Sequence, residues 1–117
     1  MPVSDRLRAE LRRALDDGGA GAAAARVALG DGPLPQRLEA GIRALAERRG
    51  PGSSTCPSDA ARAVGGERWR DLLDCARDIA RRLAQRGEVQ ITQRGVVLDP
   101  HGAWRGPVRI RTTRSDR

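Results

Sequence analysis

Cys56 stands directly before Pro57 at the start of an expected helix, and Asp99 and His101 lie two apart in a later loop. Thiol, imidazole and carboxylate are thus all present for nucleophilic hydrolysis. That chemistry needs the three groups within hydrogen-bonding distance of one another and an oxyanion hole, and no glycine-rich nucleophile elbow accompanies them. The simpler reading of Cys56, or of Thr55 before it, is a helix N-cap, with Asp59 reaching back as in a capping box. A redox-sensing thiol is the sharper alternative. Cys75 reads as a small space-filler, and with His101 the two cysteines supply three soft metal ligands, short of a structural zinc site. The glycines between residues 18 and 32 follow no strand and lack the Gly-Lys-Ser/Thr ending of a phosphate-binding loop. Neither an enzyme, a metal site nor a cofactor is expected.

Arginine is the residue that offers chemistry in number. The 117-residue chain holds 22 arginines and no lysine against 15 acids, a net charge of +7. A guanidinium donates in a planar fork that matches phosphate oxygens. Residues 1–33 hold five arginines and five acids, whereas residues 34–117 hold 17 arginines and ten acids, so the net charge belongs to the second part. Candidate nucleic-acid contacts are Arg68, Arg70, Arg77 and Arg81 on an expected third helix, and Arg94, Arg105, Arg109 and Arg111 in an expected hairpin. Asp71, Asp74 and Asp78 share the exposed side of that helix and would repel phosphate. Acids early in a helix favour its macrodipole, and Asp74 can pair with Arg77, or Asp78 with Arg81 or Arg82. A solvated, salt-bridged surface is therefore the competing reading.

The elements that must position these groups follow from apolar spacing. Ser4 can cap a short helix carrying Leu7, Leu11, Ala14 and Leu15, stopped by Gly18 and Gly19. A helix of that length is marginal alone, so its leucines must dock on the rest of the chain, on a second copy or on a partner. The glycine and alanine stretch from Asp17 to Pro33 carries little large apolar surface and reads as a flexible linker. The main domain begins near Pro35 with Leu38, Ile42, Leu45 and Ala46 on one stripe before Gly50-Pro51-Gly52. A short second helix follows Cys56-Pro57-Ser58-Asp59 and ends at Gly65-Gly66. The third, from Glu67 to Arg86, places Trp69, Leu72, Leu73, Ala76, Ile79, Ala80 and Leu83 on one side. Trp69 is expected in the core and Trp104 packed under the hairpin, with stacking on a base as the alternative. After Gly87 the period becomes two: Val89 and Ile91, then Val108 and Ile110, read as antiparallel strands. Val96 to Leu98 either extend the first strand or add a short third one. The expected divisions are 1–33 (helix and linker), 34–111 (main domain) and 112–117 (a fraying tail).

Three helices, the second short, followed by a hairpin make the order of a winged helix-turn-helix, in which the third helix reads a groove and the hairpin is the wing. The fold class expected is mainly α with a small antiparallel hairpin. The stretches CPSDAARAVGGERWRDLL (56–73), ARRLAQRGEVQITQRGVVLDP (80–100) and RGPVRIR (105–111) resemble the small bacterial family Domain of Unknown Function 3253. The matching motifs are Cys56 to Asp59, Gly65 to Trp69 and Thr92 to Gly95. The resemblance spans about residues 36–111 and implies a winged-helix-like fold; it carries no catalytic residues. No apolar run approaches 18 residues and no apolar stretch follows a basic start, so neither a membrane span nor a secretory leader is expected and a cytoplasmic location follows. The leading expectation is a non-catalytic module for duplex DNA. The alternative is a protein-interaction or self-association module using Leu7, Leu11 and Leu15.

Overall fold

The computed structural model describes residues 2–113. Five α-helices precede three short strands: α1 (Val3–Asp17), α2 (Ala22–Leu29), α3 (Leu34–Arg49), α4 (Pro57–Gly65), α5 (Leu73–Gln85), β1 (Val89–Gln93), β2 (Val96–Val97) and β3 (Arg109–Thr112). A mainly helical chain with a small antiparallel sheet is thus as expected. A 3-10 segment, Gly66–Leu72, joins α4 to α5, so the expected third helix is not continuous. Arg68 leaves helical geometry there, at φ −95° and ψ 18°.

One apolar cluster holds α3, α4, α5 and the sheet together through Leu38, Ile42, Ala60, Ile79, Leu83, Ile91 and Ile110. These are the residues that helical and strand periodicity places inward, and burying each Leu or Ile stabilises the fold by about 1.5–3 kcal/mol. Trp69 departs from expectation. It packs against the edge of this cluster, half-buried, instead of inside it. The guanidiniums of Arg62 and Arg70 lie 4.1 and 4.5 Å from its ring centroid, which leaves the ring as much an arginine platform as a core residue.

A second cluster covers the back of α3, where Leu7, Leu11 and Ala14 of α1 and Ala25 and Ala28 of α2 meet Ala40, Ala44 and Leu45 of α3 and Ala63 of α4. The leucines of α1 therefore dock on the main domain, the first of their three possible destinations. The flexible linker expected between Asp17 and Pro33 is corrected by the same contacts: its centre is the helix α2, with Ala25 and Ala28 buried. Small side chains let it approach α3 so closely that a Cβ on Gly21 would lie 2.7 Å from the Ala44 carbonyl oxygen. The cap of α1 also differs, because the helix begins at Val3 after Pro2, which puts Ser4 inside its first turn.

The sheet order is β2-β1-β3, all antiparallel, with Ile91 opposite Ile110 and Thr92 opposite Val97. Val96 and Val97 thus form a third strand. Thr55 adds a single bridge on the other side of β3, exchanging both backbone hydrogen bonds with Ile110 (2.8 and 2.6 Å). The segment between α3 and α4, expected as a polar loop, is therefore stitched to the sheet. Thr112 lies buried at the end of β3, and the Thr113 hydroxyl donates to the Gly87 and Glu88 carbonyls, so the expected fraying does not begin at residue 112. Residues 114–117 of that tail lie outside the described residues.

Candidate nucleic-acid interface

The start of α4 is built by the capping box expected of Cys56 and Asp59. The Asp59 Oδ2 accepts from the Cys56 amide (3.3 Å), the Thr55 hydroxyl (2.7 Å) and Arg49 Nη1 (3.2 Å). Burial pushes the Asp59 carboxyl up, but Thr55, Cys56 and the Arg49 guanidinium outweigh it and hold it below the usual carboxylate range. Arg49 also donates from Nε and Nη2 to the two Glu10 oxygens (3.0 and 2.8 Å), which raises its pKa and ties α1, α3 and α4 to one point. Cys56 and Cys75 are free thiols. His101 is exposed, and its backbone N–H donates to Asp99 Oδ1 (2.9 Å). It does not line the groove onto which Cys56 opens, so the hydrolytic arrangement of Cys56, Asp99 and His101 does not assemble.

The arginines of the third helix do not form a free ridge. Arg77 Nη1 donates to the Gly106 carbonyl (3.1 Å). Arg81 Nη1 donates to the Pro100 and Gly102 carbonyls (2.9 and 2.6 Å), and its guanidinium carbon lies 3.9 Å from the Trp104 ring centroid. Trp104 itself donates to the Asp99 carbonyl (3.0 Å) and packs against the main cluster, which is the packing expected for it. Two of the expected reader arginines thus clasp the loop that follows β2 onto the flank of α5. Arg70 lies over Trp69, and Arg68 pairs with Asp71 (3.4 Å) with both side chains largely exposed, a pair of little energetic weight. Among the described residues Asp74 and Asp78 form no ion pair, so the expected pairs with Arg77, Arg81 or Arg82 are absent and the two carboxylates stay in solvent.

The hairpin arginines divide in the same way. Arg109, at the start of β3, donates to the Ser54 hydroxyl and carbonyl (2.9 and 3.0 Å), and Arg111 donates across the strand pair to Gln90 Oε1 (2.6 Å). Arg94 occupies the two-residue turn between β1 and β2 with φ 52°, followed by Gly95 at φ 82°, the positive pair that a tight type I′ hairpin needs. This turn projects the Arg94 side chain into solvent. Arg105 is exposed too, and its backbone is fixed because the Gln93 amide donates to the Arg105 and Pro107 carbonyls (2.6 and 3.0 Å). Gln93, Ser54 and Trp104 organise this surface, yet sequence reasoning did not single out the first two. The signal lay in the Thr92-Gln93-x-Gly95 motif, whose glutamine joins the two arms of the wing and whose glycine closes its tip.

One electrostatic property unites these positions. Of the eight arginines, only Arg68 has a carboxylate partner within ion-pair distance among the described residues; Arg70 and Arg81 face rings, Arg77, Arg81, Arg109 and Arg111 donate to neutral oxygens, and Arg94 and Arg105 face water. The other ion pairs lie elsewhere, chiefly at Arg43 with Glu88, Arg48 with Asp17, and Arg49 with Glu10 and Asp59. Around Gln93 and residues 105–109, Arg77, Arg94, Arg105 and Arg109 therefore have no carboxylate within ion-pair distance among the described residues.

No helix among the described residues is long and apolar enough to cross a membrane. None of the curated proteins compared with the chain matches it. The family described as "Protein of unknown function (DUF3253)" matches residues 35–113, from α3 to the end of the sheet and covering its capping box, its glycine turn and its wing motif, and the chain belongs to that family.

Proposed function

We propose that α3 to β3 form a winged helix and that the protein is a non-catalytic, cytoplasmic module that binds nucleic acid, duplex DNA first, through the arginine surface at the wing. The element order supports the fold, with α3, the Thr55 bridge, α4, α5 and the β1–β3 ribbon in succession. The observation that carries the function is that Arg77, Arg94, Arg105 and Arg109 gather at the wing with no carboxylate in ion-pair distance among the described residues. A phosphate backbone is a ligand that such a surface can neutralise, and release of its counterions supplies affinity without base contacts. The acids on the outer flank of α5 disfavour deep insertion of that helix into a groove. The wing is accordingly the principal contact, with Arg94 and Arg105 on phosphates, the Arg105 backbone held by the Gln93 amide and the adjoining loop by Arg77 and Arg81.

Fluorescence anisotropy with a random-sequence duplex at low salt tests this. Micromolar or tighter binding that weakens steeply as salt rises is the expected result; absence of binding at tens of micromolar protein rejects the reading. The alternative, a protein-interaction module, gains little from α1, since Leu7 and Leu11 are already covered by α2, α3 and α4.

A further inference from the structure

A groove of about 490 Å³ runs between the start of α4, the start of α5 and the strand β3. Its walls include Trp69, Leu73, Pro107 and Val108, and its polar lining residues are Cys56, Ser58, Arg77 and Arg109, with the Cys56 thiol and the Ser58 hydroxyl hydrogen-bonded to each other (3.1 Å). No carboxylate among the described residues lines it. The size lies within the range of sites that enclose small organic ligands, and a mostly apolar wall with a few convergent polar groups is their usual make-up. Both arginines retain donors. Arg77 uses only Nη1, on Gly106, and Arg109 uses Nε and Nη2, on Ser54, so Nε and Nη2 of the first and Nη1 of the second have no partner among the described residues.

We infer that this groove binds a small organic monoanion with an apolar body, of which a medium-chain carboxylate is the simplest form. The chain of the ligand lies against Trp69, Leu73 and Pro107, and its carboxylate takes the spare N–H groups of Arg77 and Arg109. A neutral ligand of the same shape leaves those two cations without compensation, and a small hydrophilic anion leaves the apolar wall wet. Charge complementarity and apolar burial thus select the same chemical class. The inference stands independently of nucleic-acid binding, because it needs only the groove and its two guanidiniums.

Decanoate, below its micelle concentration, is the probe, with 1-decanol and acetate as controls on the full-length protein. Cys56 opens onto the groove, so its alkylation by iodoacetamide, followed at peptide level by mass spectrometry, reports occupancy, and Cys75 serves as internal reference because it does not line the groove. The expected result is a saturable slowing of Cys56 alkylation of at least fivefold by decanoate, no comparable effect at Cys75, and at least tenfold weaker effects of decanol and acetate. Arg77→Gln combined with Arg109→Gln, checked for folding by circular dichroism, should weaken decanoate at least tenfold. Unchanged Cys56 reactivity at millimolar decanoate overturns the inference, as does equal protection by decanol. The wild-type comparison of decanoate with decanol decides the matter even if the double variant does not fold. Loss of duplex binding in the anisotropy experiment leaves this result unaffected, so the two readings fail separately.

Discussion

Arg49, Glu10 and Asp59 illustrate how single side chains hold this fold at a point that composition does not reveal. Each was visible as a charge, and Asp59 was legible as a capping residue, but its union with Arg49 and Glu10 depends on α1 crossing the end of α3. Because Asp59 is held below its unfolded carboxylate range, its contribution to stability is complete above about pH 4 and is lost as pH falls through the lower folded value. Urea unfolding followed across pH 2–7 should therefore show stability declining below about pH 4. Asp59→Asn should cost about 1–3 kcal/mol at neutral pH and flatten that decline, whereas an unchanged acid limb would contradict the assigned contacts. Trp69 carries the opposite lesson. Helical spacing places it with the core residues, but the 3-10 segment rotates it to the edge, where the guanidiniums of Arg62 and Arg70 lie over its ring. Trp69→Ala should accordingly cost less than the roughly 3–5 kcal/mol of a fully buried tryptophan, and less than Ile79→Ala, at roughly 2–5 kcal/mol for a fully buried isoleucine. Equilibrium denaturation of the two variants gives the order directly.

At the level of elements, α3, α4, α5 and the two longer strands were legible because large apolar residues recur at helical or alternating spacing. Helix α2 was not. Its inward face is alanine, whose value lies in close approach and not in buried area, and that approach depends on α3 offering Ala40 and Ala44 in return. Gly21 marks the contact, with φ 85° and its α-hydrogen where a side chain would meet the Ala44 carbonyl. Gly21→Ala should cost more than 1 kcal/mol and raise hydrogen exchange in α2 and the facing turns of α3, with the sheet amides unaffected. Exchange unaltered in α2 would contradict this packing. The bridge at Thr55 was equally illegible, since a one-residue strand has no period. The arginines of α5 were found on their helical face, but a helical wheel says nothing of the loop that folds back over it. Arg77 and Arg81 therefore read as free donors from sequence and are loop clasps in the structure.

For the whole molecule, the net positive charge belongs to residues 34–117, the part of the sequence that runs from α3 through the sheet. Most of the carboxylate-paired arginines, Arg43, Arg48 and Arg49, lie on α3, whereas the guanidiniums around the wing face carbonyls, rings or water. Under the proposed function, the guanidiniums at the wing attract the phosphate backbone of an anionic polymer. The salt dependence of duplex binding, compared between the wild-type protein and Arg94→Gln combined with Arg105→Gln, tests this most directly. Both side chains are exposed and form no hydrogen bond, ion pair or ring contact among the described residues, so their loss should leave the melting temperature unchanged. If they contact phosphates, the slope of log K against log salt should become shallower by about 2, roughly one for each guanidinium removed, with affinity falling alike on every sequence. An unchanged slope would contradict the assignment of the wing as the phosphate-binding surface.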